Sequence, residues 1–169
     1  LYKIVKTYLL GNSAVVVASL FLGGVALILI EKFYHSKNQI TDIAKLTYPQ
    51  ALIIGLGQSL AIVPGVSRAA ATIVTGLFLG MNREAATEFS FVLAVPTMIA
   101  ATGLDLLKTH WSFSSEEFLF LGVGFLAAFI SALFTVKFLI GFVQKHNFIP
   151  FGIYRVILAL VFWLFWLLP

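Results

Sequence analysis

The residues best suited to chemistry lie in one segment, Gly57-Gln58-Ser59-Leu60-Ala61-Ile62-Val63-Pro64-Gly65-Val66-Ser67-Arg68-Ala69-Ala70-Ala71-Thr72. Pro64 has no backbone N–H to donate and Gly65 tolerates backbone angles that other residues avoid, so the pair stops a helix and lets backbone approach a ligand. Ser67 then stands where a helix N-cap belongs. A helix starting there offers unpaired N–H groups and the positive end of its dipole, which together make an anion site. Arg68 is beside it, and a guanidinium keeps its charge at physiological pH and matches two phosphate oxygens with one fork of donors. Thr72, four residues on, shares that helix face and adds a hydroxyl.

Each residue also has a plainer reading. Pro64-Gly65 serves equally as a kink, Ser67 as a simple cap and Thr72 as a structural polar residue. Gln58 either points to the same cavity or is polar glue between helices. Arg68 is different, because an arginine flanked by apolar half-helices is costly at membrane depth and by default marks a functional site. Glu88 and Ser90, which open the next apolar span, are supporting candidates; for Glu88 a structural ion pair with Arg68 or Arg83 is the favoured role. Asp105 and Lys108 read as a span-end pair, and Tyr154 with Arg155 as an anchor for the last helix. His35, His110 and His146 are scattered over loops without metal-ligand spacing.

Other chemistries are excluded. The chain has no cysteine, so thiolate nucleophiles, disulfides and iron–sulfur ligation are out. It has no Walker loop and no dinucleotide fingerprint. No close carboxylate pair is available within the apolar segments to hold a divalent metal or to act as acid and base. The residues alone give an anion pocket on a broken helix and half of a catalytic set.

The elements that must position this set follow from composition. Of 169 residues, 60% are hydrophobic and 11% charged, too few polar groups to cover a soluble surface, so the chain is a polytopic, all-α membrane protein. The net charge of +4 is spread too thinly for a nucleic-acid footprint. Apolar stretches predict spans over 13–30, 89–107, 118–136 and 151–168, with Pro96 expected to kink the second and Trp163 and Trp166 to anchor the last at an interface. The runs 51–63 and 69–79 are each too short to cross, so 51–79 is expected to enter and leave on one side as a re-entrant hairpin broken at Pro64-Gly65. Residues 32–49 and 137–150 read as loops. Ser114 and Ser115 ahead of Glu116 and Glu117 read as a helix start. The result is a single membrane domain, 1–169, of four spans and one hairpin. Lys32, Lys37, Lys45, Arg83, Lys137 and Lys145 then share one side against Lys3, Lys6 and Lys108 on the other, which places the first side in the cytoplasm.

At the Pro64-Gly65 segment the sequence resembles the bacitracin-resistance family of undecaprenyl pyrophosphate phosphatases. The resemblance runs from Gly57-Gln58-Ser59-Leu60-Ala61 through Pro64-Gly65-Val66-Ser67-Arg68 and Thr72 to Gly80, then through Arg83-Glu84-Ala85-Ala86-Thr87-Glu88-Phe89-Ser90-Phe91 and Ala94-Val95-Pro96. It implies an inner-membrane enzyme that removes the terminal phosphate of undecaprenyl pyrophosphate, recycling the lipid carrier of peptidoglycan synthesis, with its site open to the outer side. It implies a divalent cation, Mg²⁺ or Ca²⁺, as cofactor, and the isoprenyl pyrophosphate and membrane lipids as partners. Bacitracin acts on that lipid substrate, and a homodimer is left open. Arg68 would bind the pyrophosphate, with Ser67, Thr72 and the backbone at Pro64 and Gly65 in the pocket, and Gln58 matches the polar position ahead of the turn. The family usually has Ser after the arginine; here it is Ala69, so one hydroxyl is absent. The family's acidic motif, with its glutamates on a second hairpin related by inverted symmetry, is also absent, so this chain resembles the C-terminal portion of a longer protein and metal ligands are expected from the other half. A transporter or flippase of an anionic lipid is the rival reading, since broken helices around an anion site serve transport too.

Overall fold

A computed structural model describes residues 12–33, 40–108 and 114–167, with the side chains of Ser115, Trp166 and Leu167 excepted. The expectations for Lys3, Lys6, His35, Lys37, Asn38, His110 and the Trp166 ring fall outside the described residues. Six α-helices follow one another: α1 (Ser13–Phe33), α2 (Tyr48–Gln58), α3 (Arg68–Phe78), α4 (Arg83–Lys108), α5 (Ser115–Lys145) and α6 (Ile149–Leu167). Among the described residues the only sheet-like pairing is an isolated parallel bridge between Ile40 and Met81.

Three helices, α1, α4 and α5 from Glu116, are long and apolar enough to cross a membrane. The fourth expected span, α6, is apolar but reaches only the class of shorter helices over its fully described part, Ile149–Phe165. α5 also runs past the expected end of its span at 136. Residues 137–145 are helical rather than a loop, because Lys137 is the only charge before Lys145 and Phe138, Leu139, Ile140, Phe142 and Val143 continue the apolar pattern without a breaker. A long lysine stem can lie along apolar surface and lift its charge out, so one lysine does not end a span. Likewise α4 starts at Arg83 and runs unbroken through Pro96.

Capping explains most helix ends. The Ser114 hydroxyl accepts from the Glu117 N–H at 3.3 Å and Glu117 Oε2 accepts from the Ser114 N–H at 2.7 Å, a capping box that starts α5. At the end of α3 the Met81 N–H reaches the Gly76 carbonyl and the Gly80 N–H the Leu77 carbonyl. That Schellman closure needs a left-handed residue, and Gly80 has φ 89°. Asn82 then caps α4, its Oδ1 accepting from the Ala85 N–H at 2.8 Å.

Packing places these elements. α1 and α6 meet where Gly24 and Gly152 face each other; a Cβ on Gly24 would stand 2.7 Å from the Gly152 carbonyl oxygen, and one on Gly152 2.8 Å from that of Gly24. Small residues at such crossings let helix backbones touch. α2 and α3 fold back on each other with Gly57 against Thr75, again too close for any side chain at 57. The core joins this hairpin to α4 and to the α5–α6 corner through Ile54, Ile73, Leu77, Met81, Ala85, Ala86, Val143 and Phe148. By contrast every side chain described from Glu116 to Thr135 is exposed.

One end of the bundle gathers four helix termini. The buried Glu31 near the end of α1 takes a bidentate pair from Arg83 at the start of α4, with Nη2 to Oε2 at 2.7 Å and Nε to Oε1 at 2.9 Å. The same carboxylate accepts the Phe148 N–H at 3.1 Å, and Gln144 on α5 donates to Glu84 at 2.5 Å. Arg83 therefore pairs with a residue 52 positions upstream and not with Glu88, correcting that candidate pairing.

Candidate functional site

The break in the hairpin is a turn with a defined geometry. α2 ends at Gln58 and passes through a 3-10 turn, Ser59–Ile62, so the first arm is α-helical for less of its length than 51–63 suggests. The Val66 N–H then bonds the Val63 carbonyl at 3.1 Å, with Pro64 and Gly65 as the two central residues and Gly65 at φ 90°. Proline followed by a positive-φ glycine is the signature of a type II turn. A Cβ at Gly65 would also collide with the Val16 carbonyl of α1, so two independent constraints require glycine there.

Ser67 caps α3 as its position predicts. Its backbone is extended (φ −68°, ψ 126°) and its hydroxyl accepts from the Ala70 N–H at 3.2 Å. The Ala71 N–H is taken by the Ser67 carbonyl, which leaves the N–H groups of Arg68 and Ala69 as the open donors of the first turn. Arg68 is the first helical residue and partly buried. Its Nη1 donates to the Thr97 hydroxyl of α4 at 3.0 Å, and that hydroxyl also lies 3.0 and 2.9 Å from the carbonyls of Leu93 and Ala94. Thr97 thus orients the guanidinium while its own proton goes to the α4 backbone. Nothing in the sequence singles out Thr97, since a threonine inside an apolar helix usually back-bonds to its own carbonyls.

Thr72 and Gln58 are brought together across the hairpin, Thr72 Oγ1 being 3.4 Å from Gln58 Oε1 and 2.9 Å from the Arg68 carbonyl. One hydroxyl has one proton, and the shorter contact takes it, so the Gln58 contact is satisfied best with the amide turned so that its NH₂ donates. Thr72 is 1% exposed. It ties the arms of the hairpin together at the base of the Arg68 turn. Glu88 is exposed on α4 whereas Ser90 is buried, as their spacing of two on a helix requires. They do not converge.

Arg155, expected beside Tyr154 as an anchor for the last helix, instead reaches the turn. Its Nη2 donates to the Gly65 carbonyl at 2.9 Å and lies 3.4 Å from the Ser19 carbonyl of α1. Tyr154 beside it is exposed. The available signal was a lone arginine inside the apolar run Phe151–Leu168, which carries the same implication as Arg68.

The arrangement is cationic and suited to an anion: a capped helix start, Arg68 on it and Arg155 behind the turn, with no carboxylate bonded to either arginine among the described residues. A metal does not fit these residues by themselves, because among those described no group of three or more His, Asp or Glu converges.

Comparison with known proteins identifies the family. The family described as "Bacitracin resistance protein BacA" matches residues 1–161. A protein of Persephonella marina named undecaprenyl-diphosphatase is 49% identical over 166 residues, covering 98% of this chain and 65% of that protein. Proteins of the same name from a Sulfurihydrogenibium species and from Aquifex aeolicus are 50% and 44% identical over 167 residues, covering 98% and 99% of this chain and 66% and 65% of their own lengths. The chain therefore spans just under two thirds of these curated relatives.

Proposed function

The chain belongs to the BacA family of bacitracin-resistance proteins, and on that premise we propose that it forms the phosphate-binding part of an undecaprenyl-diphosphatase. In that reaction the bond between the terminal phosphorus and the bridging oxygen breaks and the elements of water are added. The products are undecaprenyl phosphate and inorganic phosphate. The observation that carries the reading is the Ser67-capped start of α3 with Arg68 as its first residue, set at a break between two short helices. Phosphoryl transfer asks a protein mainly for positioning and for stabilisation of spread negative charge. Arg68 and the open N–H groups of the first turn meet that need, and Thr97 and the Gln58–Thr72 contact hold them in place. The family name of the relatives favours hydrolysis over transport.

The hairpin is proposed to be re-entrant. Its base lies beside Ile40 and Arg83, at the end of the bundle where Arg83 meets Glu31. Its turn meets α1 at Val16 and Ser19, about 18 Å along the helix from Glu31 at 1.5 Å per residue. Each arm is 11 α-helical residues, or about 16 Å, far short of a hydrocarbon layer of about 30 Å. A hairpin entering and returning at the Glu31 end brings Arg68 to membrane depth. With α1, α4, α5 and α6 as four spans, the Glu31 end faces the cytoplasm by its lysines, and the pocket opens toward the outer side of the inner membrane. The Mg²⁺ or Ca²⁺ of the family resemblance would take its carboxylates from the portion of the relatives that this chain does not span.

The test is phosphate release from undecaprenyl diphosphate by the full-length protein in detergent, with Arg68→Ala beside it. Release is expected from the parent and should fall about 10³-fold in the variant, the scale of losing one preorganised charge-stabilising group. A parent without release would sink the enzyme reading, and undiminished release by Arg68→Ala would sink the role of that residue.

A further inference from the structure

Arg155 is expensive where it stands. Its side chain is partly buried, its Nε is buried with no hydrogen-bond partner, and no carboxylate among the described residues offsets its charge. Breaking a buried charge away from any counter-charge is normally selected against, so such a group is retained for what it does. Its bonds run to two backbone carbonyls on two other elements, Gly65 in the turn and Ser19 on α1. α1 makes room for it: a Cβ at Gly23 would stand 2.5 Å from Arg155 Nη2. Ser19 and Gly23 are one helical turn apart, so together they form a track along which the guanidinium reaches the turn.

We infer that Arg155 is a positioning residue for the anion site, acting through the Gly65 carbonyl to hold the Pro64-Gly65 turn, and hence the capped start of α3 and Arg68, in the orientation that receives phosphate. The inference rests on the proposed phosphate-binding role of that helix start. Three features support an action through the turn. The bond goes to the carbonyl of the one turn residue whose conformation only glycine adopts readily, so it holds the Gly65–Val66 peptide that leads out of the turn into the cap. Val66, Ser67 and Arg68 follow directly, with no flexible residue between the clamped carbonyl and the cap. The clamp also comes from α6, a helix that contributes nothing else to the site among the described residues, so its contact does not follow from folding the hairpin itself.

The experiment has two readouts, both on the full-length protein. The first is hydrogen exchange of the peptide covering 64–71, which includes the Val66 and Ala70 amides that close the turn and the cap. Arg155→Met should raise its exchange about tenfold relative to the parent, while the peptides of α5 stay unchanged. Unchanged exchange at 64–71 would overturn the clamp, and this readout stands even where the parent shows no phosphatase activity, which would instead overturn the functional reading. The second is a double-mutant cycle on kcat/KM for phosphate release. Arg155→Met should cost about 100-fold in the parent but less than about 3-fold on an Arg68→Ala background, because a residue acting through Arg68 has little left to lose once Arg68 is gone. Equal losses in both backgrounds would overturn the proposal. Should Arg155→Met fail to fold, Gly23→Ala keeps the charge but displaces the guanidinium, and a loss of about 10-fold is expected; Arg155→Lys, which retains one donor to Gly65, should recover activity to within about 10-fold of the parent. Activity of Gly23→Ala equal to the parent, or Arg155→Lys as poor as Arg155→Met, would count against the clamp.

Discussion

The two ends of the membrane bundle treat arginine in opposite ways. Arg83 meets a buried carboxylate in a bidentate pair, and that carboxylate also takes a backbone N–H. The charge is cancelled, and three helix termini are pinned together. Arg68 and Arg155 meet only a hydroxyl and carbonyls. Their charge is left uncancelled beside an open helix start, which has the same sign. Neutral pairing serves architecture, while a positive site with no internal counter-charge is what a diphosphate can complete. Exposure runs the same way: the Arg83 side chain is 46% exposed, while Arg68 and Arg155 are partly buried.

Substitutions at either end can break that contrast. Arg83→Ala should be the most damaging change at the neutral end, because it strands the Glu31 carboxylate, only 3% exposed; a loss of about 3 kcal/mol of stability is expected. Glu31→Gln leaves a half-exposed guanidinium that water can reach and keeps one acceptor for the Phe148 N–H, so it should cost about 1 kcal/mol. Thermal melts of both variants in one detergent check this, and equal losses would remove the asymmetry. Both should keep kcat/KM of the folded protein within about 3-fold, as they lie away from the anion site.

At the cationic end, Thr97→Val removes the acceptor that orients Arg68 without touching charge. Release of phosphate should fall about 10-fold, or about 1.4 kcal/mol, close to the low end of the roughly 1.5–3 kcal/mol of a hydrogen bond to a charged group, with melting little changed. No fall would mean that Arg68 is held by other means. The smallest effect is expected for Glu88→Gln, whose side chain is exposed and not paired with either Arg68 or Arg83. Activity within about 2-fold of the parent is the expected outcome; a tenfold loss would bring Glu88 into the site.

The sequence makes the local features of the site readable and the distant ones not. Pro64, Gly65 and Ser67 act through backbone rules that operate over a few residues, so the turn, the cap and the start of α3 follow from their order alone. The same holds for Ser114 and Glu117 at the start of α5. Arg83 and Glu31 are 52 residues apart, and Arg155 and Gly65 are 90 apart; no pattern along one chain says which carbonyl a buried arginine will find. Lys137 misled for a different reason. A charge marks the edge of a span only when its stem cannot reach the interface, and the helix carries on to Lys145. Thr97 had no legible signal, because its usefulness comes from facing Arg68 and not from its type.

The tie between Gly65 and Arg155 also sets an order in time. Chains are made from the N-terminus, and a contact spanning most of the sequence forms only after both partners exist. α1, the hairpin, α4 and α5 can all be inserted while the Gly65 carbonyl is still without its donor. α6, made after those elements, brings that donor, and the Gly24–Gly152 crossing seats it against α1. A nascent chain halted before Arg155 would already hold Ser67, Arg68 and Thr97 and still present a loose turn, so the turn is fixed only once α6 has been made.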